Sequence, residues 1–335
     1  MAAAGAEGIP PERVLRELAD LWITLGKQGE AESGTGVLRA CTLNLVVLAE
    51  ASDDAAALEE TIAALMPEHP ARTIMVKLSG AGERALAERV YAQCWMPFGQ
   101  RRQICCEQIA ITASDAALAD LESVVLPLAA PDLPVIVWSR SARLFEMPPF
   151  GAIARMATKV VVDSAAFADA KRTLRLLAEM ARGGILLGDL AWTRLTRWRE
   201  MLARLFENRN YLAKLARISG VRVTYYGEFA TSAWYMGAWV ADALRDAGVS
   251  AQVVVGTGSG PPSLSVELAG GGFRVELVRQ QDRLIITVDN AENCTNLPQP
   301  GDCLLMREEL GIVRRDALFE RALASAARLA YATDQ

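Results

Sequence analysis

Apolar positions recur at helical spacing over residues 10–26, with Val14, Leu15, Leu18, Leu21 and Trp22 on one face. The polar, glycine-rich stretch 26–36 then predicts a loop. A continuous apolar run through Leu43, Leu45, Val46, Val47 and Leu48 predicts a buried strand over 38–49. Residues 53–66 predict a helix stopped by Pro67-Glu68-His69-Pro70, and 72–78 the next strand. Two more strands are expected over 89–95 and 103–112, joined through Met96-Pro97-Phe98-Gly99. Ser114 or Asp115 can cap a helix to about 126. A short strand over 134–138, a short helix over 150–156 and a strand over 159–162 follow. Asp163-Ser164 then caps a long helix to about 182. Strands alternating with helices imply an α/β fold, an open mixed sheet with flanking helices. The strand pair breaks that alternation, so the strand order stays open.

The next stretch, 189–200, packs two tryptophans, three arginines and two acids into twelve residues. Thr196 is the expected N-cap of a helix to about 208. Trp198, Met201, Leu202, Leu205 and Phe206 form its apolar stripe, while Trp192 and Arg194 precede it on a loop. Beyond it the pattern predicts a helical continuation over 211–218, a strand over 221–226, a helix over 229–247 and a strand over 251–255. Three strands over 263–288 turn at Gly270-Gly271-Gly272 and Gln281-Asp282, and a last helix covers 307–331. This second half is an α+β region with an antiparallel meander. A length of 335 residues favours two domains, taken as 1–185 and 186–335.

Composition narrows the function classes. Hydrophobic residues make up 52% and charged residues 22%, enough for a substantial interior. No uninterrupted apolar run reaches the roughly 18 residues of a membrane span. Residues 1–11 lack a cationic flank followed by an apolar core, so no signal peptide and a cytoplasmic location are expected. A net charge of -5 without a basic run of five or more argues against a dedicated nucleic-acid binder and leaves room for a local basic patch. Six dispersed cysteines and one histidine make a zinc site improbable, and no metal is expected.

No catalytic constellation stands out. Gly256-Thr257-Gly258-Ser259-Gly260 follows an apolar strand, but Pro261-Pro262 and a β-like segment follow where a phosphate-binding loop needs a helix. No cofactor is therefore expected. His69, the sole histidine, could join Arg72 in holding a phosphate or carboxylate, though stabilising its turn is the simpler role. Cys105 and Cys106 are expected as buried thiols on opposite faces of a strand. Cys294 and Cys303 flank a loop that could close into a redox-active disulfide; two free thiols is the simpler state. On local evidence the 189–200 block favours a structural role over recognition by roughly two to one.

Several segments in order carry a family resemblance. They are Asn44-Leu45-Val46-Val47, His69-Pro70-Ala71-Arg72, Ile104-Cys105-Cys106-Glu107-Gln108-Ile109, Pro131-Asp132-Leu133-Pro134-Val135, Val161-Val162-Asp163-Ser164 and the block from Asp189 to Glu200. From about 38 to 247 the chain resembles the glucose-6-phosphate dehydrogenase assembly protein family, OpcA, of cyanobacteria and actinobacteria. It departs from the family at Ala71, at Ala191 and near Ser139. The resemblance implies a non-catalytic partner of glucose-6-phosphate dehydrogenase that promotes its assembly or active state. It also implies a link to cysteine redox control, for which Cys294 and Cys303 are the candidates. Asp189, Trp192, Arg194, Arg197 and Arg199 are then the candidate partner-binding residues. The rival expectation is a sugar-phosphate sensor or enzyme using His69, Arg72 and the Arg194–Arg199 group.

Overall fold

A computed structural model describes residues 10–33, 37–97, 102–261, 263–312 and 314–332. The chain forms two compact units. The first comprises Met1–Val162 with Ile185–Leu187, the second Asp163–Gly184 with Gly188–Gln335. The helix Ala170–Arg182, expected in the first domain, thus belongs to the second unit.

The first unit is built on β1 (Val37–Arg39), β2 (Leu43–Glu50), β3 (Ala71–Leu78), β4 (Leu86–Trp95), β5 (Gln103–Ala113), β6 (Val135–Ser139) and β7 (Lys159–Val162), with β8 (Leu187–Asp189) passing into the second unit at Gly188. Their order is β1-β5-β3-β2-β6-β7-β8, with β4 added antiparallel on β5. β1 pairs parallel with β5, β5 with β3, β3 with β2, β2 with β6 and β6 with β7. Leu43 to Leu48 are all buried, as a central parallel strand covered on both faces requires. The strand expected over 38–49 is two strands, because β1 pairs with β5 while β2 runs between β3 and β6. The β4–β5 hairpin is the pair that interrupts the alternation.

Several helix expectations need correction. The first helix runs Pro11–Ser33, straight through Gly26. The helix also contains Gly29, and at about 1 kcal/mol each the two glycines weaken it without stopping it. The rest of the expected loop, 34–36, lies outside the described residues, as do Phe98 and Gly99 of the expected β4–β5 connection. Asp163 caps only the short turn Ser164–Ala166, and Asp169 caps the helix Ala170–Arg182 through Arg172 N at 3.0 Å.

The second unit holds a sheet of β9 (Gly220–Tyr226), β10 (Gln252–Thr257), β11 (Ser263–Gly270), β12 (Phe273–Gln280), β13 (Arg283–Val288) and β14 (Ala291–Asn296). The order is β10-β9-β11-β12-β13-β14, and only β10 and β9 are parallel. The helix Ala230–Asp246 makes the crossover a parallel pair needs. At Gly237 an added Cβ would meet Val255 Cγ2 at 3.0 Å, so the glycine sets how closely this helix approaches the sheet. β14 escapes the hydrophobic pattern because its sequence, Ala-Glu-Asn-Cys-Thr-Asn, forms an exposed edge strand. The helix expected over 307–331 is two, Asp302–Gly311 and Ala317–Ala332. Asp316 restarts it by accepting from Leu318 N and Phe319 N, both at 3.0 Å. After β10 the chain turns into β11, so no helix follows Gly256–Gly260. Among the described residues no helix is long and apolar enough to cross a membrane.

Candidate functional site

The 189–200 block is laid down as two short helices in the second unit, Leu190–Thr193 and Thr196–Leu205. Asp189, with no exposed surface, caps the first. Its Oδ1 accepts from Ala191 N and Ser164 N, both at 3.0 Å, and its Oδ2 from the Tyr235 hydroxyl at 2.8 Å. All three donors are neutral. Burial pushes the Asp189 carboxyl up to about 6, against the pull of these donors. Burial, and then the charge of Asp189, hold the Tyr235 phenol well above its ordinary value. The helix Ala230–Asp246 is laced to the block by Thr231, which donates to Ser164 O, and Ser232, which donates to Ala191 O.

Trp192 follows from the same cap. Its ring packs edge-on to Tyr235 at 5.7 Å and tilted to Phe319 at 6.1 Å, leaving it 3% exposed. The Arg199 guanidinium lies over it, 3.5 Å from the ring centre, and Nη1 donates to Trp192 O at 3.2 Å. Burial lowers Arg199 to about 10, which leaves it charged at neutral pH. Arg194 forms a two-pronged pair with Asp163, 2.6 Å at each prong. Thr193 Oγ1 sits 2.5 Å from the buried carboxylate of Glu309. Thr196, expected as the N-cap, is the first helical residue; Leu195 holds the cap position.

These contacts divide the expected partner-binding set. Asp189 and Trp192 are interior, which corrects the expectation that they face a partner. A side chain already covered by Tyr235, Phe319 and Arg199 has no surface to offer. Arg194 and Arg199 are committed to Asp163 and Trp192. Arg197 alone of the five is exposed, sharing a 3.2 Å pair with Glu200. Arg204, Arg209 and Leu212 are exposed further along the same segment. Trp198 is buried, as its place on the apolar stripe requires.

The proposed anion site in the first unit is also filled from within. Arg72 is buried; its Nε donates to Glu107 Oε2 at 2.5 Å and its Nη1 to Leu128 O at 2.8 Å. Glu107 further receives Arg39 at 2.7 Å and Trp22 Nε1 at 2.6 Å. Arg72 therefore serves Glu107, which corrects its assignment as a free anion ligand. His69 is half-buried, and its backbone N–H donates to Leu65 O at 2.9 Å where the helix Ala55–Leu65 ends. The sequence reading missed Glu107, Arg39 and Trp22 as one cluster. The available signal was a lone acid inside the apolar strand Cys105-Cys106-Glu107-Gln108-Ile109, which needs a cation beside it.

The cysteines pair differently from expectation. Cys94 and Cys105 face each other across β4 and β5 and form a disulfide. Cys106 is a buried thiol pushed up to about 11 by burial. Cys294 is an exposed free thiol and Cys303 a half-buried one.

Comparison with known proteins covers both halves. Residues 46–179 match the family model of the glucose-6-phosphate dehydrogenase subunit N-terminal domain, and 185–323 that of its C-terminal domain. The chain is 28% identical over 190 residues to the OxPP cycle protein OpcA of Synechocystis, covering 56% of this chain and 39% of that one. It is 31% identical over 150 residues to the OpcA of Nostoc punctiforme, covering 44% and 32%. The match thus spans well under half the length of these relatives. Among solved structures, a 3-ketoreductase from Actinomadura kijaniata superposes with a TM-score of 0.44 at 13% identity over 86% of this chain and 96% of that one. A biliverdin reductase from Synechocystis gives 0.43 at 11% over 86% and 98%.

Proposed function

This chain belongs to the OpcA family of glucose-6-phosphate dehydrogenase assembly proteins, and on that premise we propose that it is a non-catalytic effector of that dehydrogenase. It binds the enzyme and favours its active oligomeric state in the oxidative pentose phosphate pathway. The observation that carries the reading is the match of both domain models, over residues 46–179 and 185–323. An effector needs only to bind one state of its target more tightly than another. The site's chemistry agrees with that role. Its acids and arginines are bound to one another, to backbone or to the hydroxyls of Thr193 and Tyr235, so they hold a shape rather than attack a substrate.

Within the block, Arg197 is the residue that meets the partner. Trp192, Asp189, Arg194 and Arg199 fix the helix that carries it. A rim charge of this kind acts mainly through association rate and its salt dependence. The test is co-elution of the chain with the dehydrogenase of its own organism, followed by an activity titration. A stoichiometric complex with raised activity is expected. Separate elution with unchanged activity would overturn the proposal.

A further inference from the structure

In the second unit the helices Ala170–Arg182 and Ala317–Ala332 pack side by side and leave a cleft of about 810 Å³ along their outer surface. Arg175, Arg182, Arg315 and Arg328 stand around it, against only two acids, Glu179 and Glu320. The chain as a whole carries -5, so this rim reverses the prevailing sign. Only Arg315 is tightly neutralised, at 2.8 Å from Glu320. Arg182 lies 3.9 Å from Glu179 with its side chain 75% exposed. Arg328 donates to Ser325 Oγ, a neutral partner. Among the described residues Arg175 makes no hydrogen bond or ion pair. The floor is apolar, built from Ala178, Leu323, Ala324 and Ala327.

We propose that this cleft is a docking groove for an amphipathic helix of the partner protein, apolar on one side and acidic along its edges. The proposal rests on the dehydrogenase being the partner. Complementarity selects this occupant. An apolar floor takes an apolar helix face, and a rim with surplus guanidinium takes carboxylates. The two walls are 13 and 16 residues long. At about 1.5 Å per residue they run for roughly 20 Å, the span of three to four turns of a third helix. A small anion would instead need donors converging on one point, and here the arginines are spread over two helices with acids between them.

The test uses the full chain and the dehydrogenase in isothermal titration. One variant reverses the rim (Arg175→Glu with Arg328→Glu), and a second fills the floor at an exposed position (Ala324→Trp). Each is expected to weaken the complex at least about tenfold, with an unchanged thermal midpoint. Wild-type affinity in both variants would overturn the groove and leave the partner assignment standing. No binding by the wild-type chain would sink both. Inorganic pyrophosphate is the control ligand. Saturable binding that the rim variant loses while its dehydrogenase affinity stays intact would reassign the cleft to a small anion.

Discussion

Glu107 in the first unit and Asp189 in the second are each a buried acid at the centre of a polar cluster, and the two solve the same problem in opposite ways. Glu107 is met by two guanidiniums and an indole N–H, drawn from strands β1 and β3 and from the first helix. Asp189 is met by two backbone N–H groups and a tyrosine hydroxyl, with no cation on its carboxylate. The first cluster balances charge with charge. The second holds an anion with neutral dipoles and carries the desolvation cost as a raised pKa. A buried acid is therefore not one kind of feature. Its partners decide whether removing its charge harms the fold or relieves it.

The sharpest way to break this comparison is Glu107→Gln. It leaves the buried Arg72 facing an amide instead of an anion, and a cost of about 3–5 kcal/mol is expected in urea unfolding. Arg39, half exposed, can turn to water and adds little. Adding Arg72→Met should recover most of the loss, because the pair leaves together. A cost under about 1 kcal/mol for the single variant would show that the cluster is not charge-balanced in this way.

Asp189→Asn should behave in the opposite sense. The folded carboxyl lies at about 6 against 3.8 for the free side chain, so the native state binds the extra proton. This residue's contribution to stability is full below about pH 4 and is lost as pH rises through 6, a difference of about 3 kcal/mol. Asparagine keeps an oxygen for Ala191 N and Ser164 N and has no proton to lose. The variant should gain on wild type between pH 4.5 and 7.5 in parallel denaturation curves. Identical slopes would mean that Asp189 is ionised in the fold at no cost.

The smallest effect on stability, under about 0.5 kcal/mol, is expected for Arg197→Glu, on the exposed edge of the second cluster. Its effect should fall on association instead. The on-rate for the dehydrogenase should drop about tenfold at low salt and converge with wild type at high salt. An unchanged on-rate would remove Arg197 from the interface.

Much of the fold was legible because burial writes itself into periodicity. The unbroken apolar run of β2 and the alternation in β11 to β13 mark their elements, whereas the cap of the helix Ala170–Arg182 was misplaced at Asp163 because either aspartate could serve. β14 was not legible, since an edge strand of polar residues has no buried face to reveal it. The candidate site was legible as a place and not as a set of roles. Two tryptophans among arginines pointed to 189–200, but nothing local separates a tryptophan that contacts a partner from one that anchors a helix. Trp192 is an anchor because Tyr235, 43 positions on, and Phe319, 127 on, come to meet it.

The sequence by itself determined the α/β-then-α+β order of elements, the lack of a helix after Gly256–Gly260 and the family. These depend on local pattern and on the order of short motifs, both of which one strand of text contains. Only the tertiary structure decided which charges are spent and which are available. Arg72, Arg194 and Arg197 look alike in the chain, but one lies under Glu107, one grips Asp163 and one faces solvent. The same holds for Cys94 and Cys105, which become a bonded pair through the register of β4 on β5. A partner is a matter of distance, and distance between remote residues is set by packing rather than by spacing along the chain.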